Sequence, residues 1–315
     1  MATRMQLLKR HDNDYGFNPT DISPNLTHDT TLSVVVPYYN TGYIFERFLY
    51  FLGRAIDKAD TDVQVVVVDD GSTVLKARDF MKSSIKNIRL VEHVVNRGRT
   101  DARNTGLEHA TGELILFLDS DVMVDEQLII NHLALHDAAA KQNKRSIVVS
   151  FFEFTDKYDE RIESDRLTNE DLVINDFRIE CTYGPTWIGC EDDKVYVGQH
   201  MKIVDDTNFF RQWQGQHRAW MLPNMILGGA FSVYKAEINA IGNFDTRFKG
   251  YGFTETSAVT RMVAELDNVV IPSLNGGALH IEDELTNVPR AKKDEIFKQK
   301  HDFYFNTFLQ EEVGV

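Results

Sequence analysis

Short runs of apolar, β-branched residues alternate along the first half of the chain with stretches in which apolar positions recur every three or four residues. Residues 32–36 (Leu-Ser-Val-Val-Val) form one run, stopped by Pro37, and residues 63–68 form another, ending in Asp69-Asp70-Gly71-Ser72. Runs this short and this uniformly apolar predict buried parallel strands. Between them, residues 44–56 show helical spacing, and residues 73–85 show it more weakly. A short strand is predicted at 88–91, a helix at 100–109, and a central strand at 114–118 that stops at Asp119. Asp125 can cap a further helix running to about residue 143, ahead of a strand at 147–152. Strand and helix alternate throughout, which predicts an α/β fold with a Rossmann-like, doubly wound, mostly parallel sheet and helices on both faces.

Beyond residue 154 the periodicity weakens. Residues 155–225 are rich in charged, aromatic and amide side chains and contain Trp187, Trp213 and Trp220. This is the expected irregular half, where an acceptor would sit, although three tryptophans also suit an ordinary core. A strand is predicted at 231–234, a helix at 254–266 and a strand at 269–271. The tail, 292–309, carries Ile296, Phe297, Phe303, Tyr304, Phe305, Phe308 and Leu309, which predicts a helix with a broad aromatic face. Docking onto the body is the first expectation for that face, and a contact between copies of the chain or with a membrane the second. Residues 1–31 are polar and turn-rich (Asn18-Pro19, Ser23-Pro24-Asn25) and read as an arm.

The chain has 315 residues, with 34 Lys+Arg against 48 Asp+Glu and a formal charge of −14. Such an acid excess opposes the counterion release that drives nucleic-acid binding, and no long basic stretch offsets it. Cys181 and Cys190 are too few for a disulfide scaffold and too far apart for a C-x-x-C knuckle. No stretch approaches the roughly 20 apolar residues of a membrane-spanning helix, and residues 1–15 lack the apolar run of a signal peptide. A soluble, cytoplasmic protein is expected.

In open α/β sheets, ligands bind beyond the carboxyl ends of the strands. Here those ends read Pro37-Tyr38-Tyr39-Asn40, Asp69-Asp70-Gly71-Ser72 and Asp119-Ser120-Asp121, so three strands bring polar and acidic groups to one rim. Any one alone suits a helix cap, as Asp70 or Ser72 does. No G-x-G-x-x-G follows the first strand and no P-loop occurs, so something else must hold any phosphate. Asp119 and Asp121 alternate along extended chain, on the same side about 7 Å apart. Two hard carboxylates so placed can hold a divalent cation that neutralises a diphosphate.

These motifs, in this order, resemble the inverting glycosyltransferases of family 2, with the GT-A fold. The resemblance runs through Val34-Val35-Val36-Pro37-Tyr38-Tyr39-Asn40, Val68-Asp69-Asp70-Gly71-Ser72, the segment from Asn96-Arg97-Gly98 through Arg103-Asn104, Thr111-Gly112-Glu113 and Phe117-Leu118-Asp119-Ser120-Asp121. Gly228-Gly229-Ala230-Phe231, Gly242-Asn243-Phe244-Asp245 and Gly250-Tyr251-Gly252-Phe253-Thr254-Glu255 extend it. It implies a glycosyltransferase domain over 32–285, with a nucleotide-binding half at 32–123 and an acceptor-binding half at 124–285, followed by the helical tail at 286–315.

The resemblance also implies roles. Asp69 or Asp70 would receive the base and ribose of a nucleotide donor, with Pro37 and Tyr39 beside them, and Arg103 would lie near base or phosphate. Arg97 and Arg99 would add local positive charge, or remain solvated on a helix surface. Asp119 would touch ribose and metal, with Asp121 and His280 as metal ligands for Mn²⁺ or Mg²⁺, the imidazole suiting Mn²⁺ better. Gly228 and Gly229 would let a donor sugar approach the backbone. Glu255 would be the general base, unless it only meets its helix dipole. The family commonly has Glu-Asp where this chain has Thr254-Glu255, which puts contacts to the acceptor in question.

Processive family members carry transmembrane helices and a Q-x-x-R-W motif after the acidic pair. Neither occurs here, so transfer of a single sugar is expected, from a UDP-sugar to a glycan, peptide or small-molecule acceptor. A nucleotidyltransferase is the alternative enzyme, and a non-catalytic sugar-nucleotide-binding partner, motivated by Thr254, the alternative from another class.

Overall fold

The computed structural model describes residues 1–11, 13, 15–17, 19–22, 30–82, 84–176, 189–191, 194–196, 223, 226, 228–282 and 290–314. Trp187, Trp213, Trp220 and Cys181 fall outside them.

The chain opens with β1 (Ala2–Thr3) and α1 (Arg4–Arg10), then β2 (Leu32–Tyr38), α2 (Tyr43–Ala59), β3 (Val63–Asp69), the single turn α3 (Ala77–Phe80) and β4 (Ile88–Glu92). There follow α4 (Arg99–His109), β5 (Leu114–Leu118), β6 (Val122–Val124), α5 (Leu128–Ala140) and β7 (Ser146–Thr155). A small ribbon of β8 (Gly189–Glu191) and β9 (Lys194–Tyr196) precedes β10 (Ala230–Tyr234), α6 (Lys235–Ala240), α7 (Thr254–Leu266), β11 (Val269–Ile281), α8 (Arg290–Asn306) and β12 (Glu312–Val313).

Eight strands form the main sheet in the order β4-β3-β2-β5-β10-β7-β11-β6. The β4, β3, β2 and β5 strands run parallel, β10 is antiparallel to both β5 and β7, and β11 is parallel to β7. The expected doubly wound sheet is present, and β5 shows why it needs two layers. All five of its residues are buried, with Ile115 and Phe117 facing one core and Leu114, Leu116 and Leu118 facing the other. Alternation across the pleat sends successive side chains to opposite faces, so an uninterrupted apolar run demands cover on both. On one side α2 supplies Phe45, Phe48, Leu49 and Leu52 at helical spacing, and on the other stand Leu107 of α4 and the apolar face of α7.

Several expectations change in detail. Only Ala77–Phe80 is helical in the 73–85 stretch. The strand expected at 269–271 continues to Ile281, past an irregularity between Ser273 and Ala278, and its far end pairs with β6. Asp125 does not cap α5; its carboxylate instead accepts from the backbone of Gln127 (2.7 Å) and Gly277 (3.2 Å), tying the helix start to that irregularity.

The polar start of the chain contains a docked element as well as turns. Leu8 is fully buried, β1 pairs with β12, and Arg4 donates to Glu265, Glu311 and the Phe308 carbonyl. The aromatic face of the tail is covered from within the chain: Tyr304, Phe308 and Leu309 are buried against Phe248, Phe253 and α7. That agrees with docking onto the body. In the described part of 155–225, Arg161 holds the chain down through Glu153 and Asp159, and Arg47 donates to the carbonyls of Ile162 and Ser164. No helix among the described residues is long and apolar enough to cross a membrane.

Beneath α5 lies a buried polar chain. His132 bridges Ser150 (2.8 Å) and Ser232 (2.7 Å), and His136 bridges Ser232 (2.7 Å) and Ser146 (2.7 Å). Every member is buried, and burial pulls both imidazoles down to about 3. They are therefore neutral, hydrogen-bonded core residues.

Candidate functional site

At the carboxyl edge, the loops after β2 and β3 hold each other. The buried Tyr38 hydroxyl donates to the Leu75 carbonyl (2.6 Å) and accepts from Gly42 N–H (3.0 Å), and burial pushes this phenol up to about 12. Asn40, at φ +52°, accepts from Val74 and Leu75 N–H (3.1 Å each), while its own N–H meets Ser72 Oγ (3.0 Å). Side-chain amides tolerate this left-handed conformation where bulkier residues do not. Pro37 pairs in register with Val68, and Tyr39 stands half-exposed at the rim.

Asp69 organises the loop that follows β3. Its two carboxylate oxygens accept backbone N–H groups of Ser72 and Ala77 (2.9 Å each), which folds the loop and starts α3 in place of the longer helix. Asp70 is also engaged, accepting from Arg97 N–H (2.9 Å), Gly98 N–H (2.7 Å) and His93 Nδ1 (2.7 Å). It thereby fixes the entry to α4. His93 was not singled out from sequence, yet it directly follows β4, and the strand-end rule extended to that fourth strand selects it. The Arg97 side chain is exposed.

One turn into α4, Arg103 is fully buried and joins the two halves of the site. Its Nη2 donates to Asp119 Oδ1 (2.8 Å) and its Nη1 to Glu255 Oε1, across 152 residues of sequence. Its Nε is buried without a hydrogen-bond partner among the described residues. Arg99, half-exposed, stands 3.8 Å from the other Asp119 oxygen. Burial alone would push the Asp119 carboxyl up, but Arg99 and Arg103 together hold it below the usual carboxylate range.

Gly228 serves this ion pair more than it leaves room for a sugar. A Cβ there would lie 2.2 Å from Glu255 Oε1 and 2.9 Å from Arg103 Nη2, so any side chain would displace the pair. The Gly229 carbonyl accepts from Asp119 N–H (3.1 Å), aligning the acidic strand end with the start of β10.

The expected three-ligand metal set does not converge. Among the described residues no three His, Cys, Asp or Glu side chains come together closely enough to cage a cation, because Asp119 is turned toward Arg103 and Arg99. Asp121 and His280 behave differently. Among the described residues, Asp121 Oδ1 and His280 Nδ1 are both buried without a hydrogen-bond partner, and β6 pairs with β11 so that Val122 lies opposite His280. Burial, reinforced by the nearby Asp119 charge, pushes the Asp121 carboxyl up against the pull of His280. Phe152 and Phe154 flank the imidazole at 5.6 and 5.2 Å between ring centres. A carboxylate oxygen and an imidazole nitrogen, both buried, fit the donor chemistry of a divalent cation.

Thr254, the departure in the acidic pair, is buried, and its hydroxyl donates to the Phe248 carbonyl (3.0 Å) beside Thr100 Oγ1 (3.3 Å). A neutral donor suits that carbonyl, whereas a carboxylate there would be repelled by it. Asp245 accepts from the N–H and guanidinium of Arg247.

A model of the family described as Glycosyl transferase family 2 matches residues 33–196, just over half of the chain. The chain belongs to glycosyl transferase family 2. A poly(ribitol-phosphate) beta-glucosyltransferase from Bacillus spizizenii is 26% identical over 186 residues, which cover 56% of this chain and 28% of that protein. Among solved structures, the Pyrobaculum calidifontis mannosyltransferase PcManGT, in complex with GDP-Man and Mn²⁺, aligns with TM-score 0.52 and 18% identity over 90% of this chain and 64% of that one. GalNAc-T7 with UDP, GalNAc and Mn²⁺ aligns with TM-score 0.53 and 15% identity over 80% of this chain and 44% of that one. The match thus spans about a quarter of the curated relative's length, and the two solved neighbours share the GT-A fold.

Proposed function

We propose that the chain is a divalent-cation-dependent, inverting glycosyltransferase that moves a single sugar from a UDP-sugar to an acceptor hydroxyl. The observation that carries this reading is the buried bridge of Arg103 between Asp119 and Glu255, beside the unpartnered pair Asp121 and His280. It joins the two regions of the site at the carboxyl rim of a family 2 fold.

In this reading Glu255 accepts the acceptor's proton as its oxygen attacks C1 in line with the departing diphosphate. Arg103 holds Oε1, and no hydrogen bond to Oε2 is found among the described residues, so Oε2 is the oxygen that takes the proton. Arg99, half-exposed beside Asp119, is a cation that can meet a donor diphosphate. Asp121 and His280 would hold the cation, which when bound supplies positive charge to the leaving diphosphate. Asp69 and Asp70 shape the loops through backbone N–H groups and keep acceptor sites for the base and ribose of the donor.

The preference for UDP rests on the family motifs, since the solved neighbours hold GDP-Man in one case and UDP in the other. The test is a panel of UDP-, GDP- and TDP-sugars incubated with the purified protein and Mn²⁺ or Mg²⁺. Release of UDP supports the reading. Release of pyrophosphate from UTP and a sugar 1-phosphate, run in parallel, would make the chain a nucleotidyltransferase, and release of nothing from either, with nucleotide bound, would make it a binding partner.

A further inference from the structure

Glu255 sits two residues beyond a backbone feature that needs support from elsewhere. Phe253, which precedes α7, has φ +61°, the left-handed region that bulky L-residues avoid because Cβ crowds the backbone. Its carbonyl nevertheless accepts from Ser257 N–H (2.9 Å) and so closes the turn that carries Glu255. The contacts that hold Phe253 come from α8. Its ring centre lies 4.9 Å from that of Tyr304 and 5.0 Å from that of Phe297, with His301 at 6.1 Å. Phe297 also covers Gly252, where an added Cβ would stand 2.6 Å from its ring. The buried Tyr304 hydroxyl meets Thr260 Oγ1 at 2.5 Å, further along α7. One helix therefore grips both the strained turn and the helix behind it.

We infer that α8 is a positioning element for the reaction, in which Phe297 and Tyr304 keep Phe253 left-handed and thereby aim Glu255 into the cleft against Arg103. This rests on Glu255 being the general base. Neither aromatic residue is a catalytic residue; each acts through the turn. Without that cover Phe253 relaxes toward ordinary φ, the first turn of α7 rotates, and Glu255 leaves the line of attack. The donor, held by the loops of the other half, stays bound.

The test is Phe297→Ala made in the full chain, in both the wild-type and the Glu255→Gln backgrounds, with UDP release from UDP-glucose and UDP-N-acetylglucosamine as readout. Misaiming the base should lower kcat by roughly 10- to 100-fold with donor KM little changed. Phe297→Leu, which refills most of the space, should recover most of the loss. In the Glu255→Gln background Phe297→Ala should change the residual rate by less than about twofold, because the two substitutions remove the same interaction. Equal losses in both backgrounds, or an unchanged kcat, overturn the proposal while leaving the base assignment intact. Should Phe297→Ala fail to fold, Phe297→Val, a smaller truncation of the same ring, enters the same comparison. Near-normal turnover by Glu255→Gln alone would overturn the base assignment, and the positioning role with it.

Discussion

Replacing Arg103 with methionine tests the bridge that joins the two halves of the site. The guanidinium is fully buried and donates to Asp119 on one side and Glu255 on the other. Methionine has comparable length but no charge, so both carboxylates would remain in place with their shared partner gone. Removing one partner of a buried ion pair typically costs about 3–5 kcal/mol. Arg99, at 3.8 Å from Asp119, remains to offset part of that, so the lower end of the range, about 3 kcal/mol, is expected at pH 7. The sign of the pH dependence follows from Asp119. Its carboxyl is held below the usual range in the native protein, so the stability it contributes is present above about pH 4 and is lost as pH falls through the lowered native value. Without Arg103 burial raises that carboxyl, the native state accepts a proton earlier, and the difference between variant and wild type narrows toward pH 4. Urea unfolding followed by tryptophan fluorescence at pH 7 and pH 4.5 measures both numbers. Arg103→Lys should recover only part of the loss, because an ammonium cannot span two carboxylates as a planar fork does. A variant within about 0.5 kcal/mol of wild type at pH 7 would mean that the bridge contributes no more than an ordinary surface contact.

Other expectations are narrower. His136→Leu removes one imidazole that burial holds at about 3 against an unfolded value of 6.5, and wild-type stability should therefore fall more steeply than the variant's between pH 6.5 and pH 4. The difference in slope should be about 1.4 kcal/mol per pH unit, read from urea titrations of both proteins; parallel slopes would show that His136 is charged in the folded state. Asp121→Ala should abolish turnover and weaken Mn²⁺ binding by calorimetry while leaving the unfolding midpoint unchanged or raised, since it removes a buried unpartnered oxygen; full turnover in EDTA would eliminate the cation from the mechanism. Asp69→Ala should cost about 2–3 kcal/mol by loosening two charge-assisted backbone bonds and should weaken UDP binding indirectly, whereas unchanged stability with lost UDP binding would restore direct contact.

The parts of the fold that were legible in the sequence are those fixed by local pattern. Strands β2, β3 and β5 are apolar on both faces and could only be central, and turn residues marked their carboxyl ends. The polar groups on that rim were therefore visible, but their duties were not. A carboxylate after a strand looks the same whether it receives a ligand or a backbone N–H, and only tertiary placement showed that Asp69 and Asp70 receive the chain itself. Arg103 and Glu255 lie 152 residues apart, beyond the reach of any spacing rule, and Gly228 acquires its meaning only from their meeting. His132 and His136 did leave a trace: they are one helical turn apart, and Ser146 and Ser150 share one face of β7. Read together, these pairs point to a buried polar ladder between helix and sheet.

The central claim is that Glu255 is the base of a sugar transfer from UDP. It is tested most directly by UDP release from a UDP-sugar by wild type and Glu255→Gln, with UDP affinity measured on the same preparations. Glutamine keeps the shape and an oxygen for Arg103 but not the charge. Turnover should fall by roughly 10²- to 10⁴-fold with UDP binding close to wild type. Near-normal UDP release by Glu255→Gln, or no UDP release by the wild-type protein from any UDP-sugar, would contradict it.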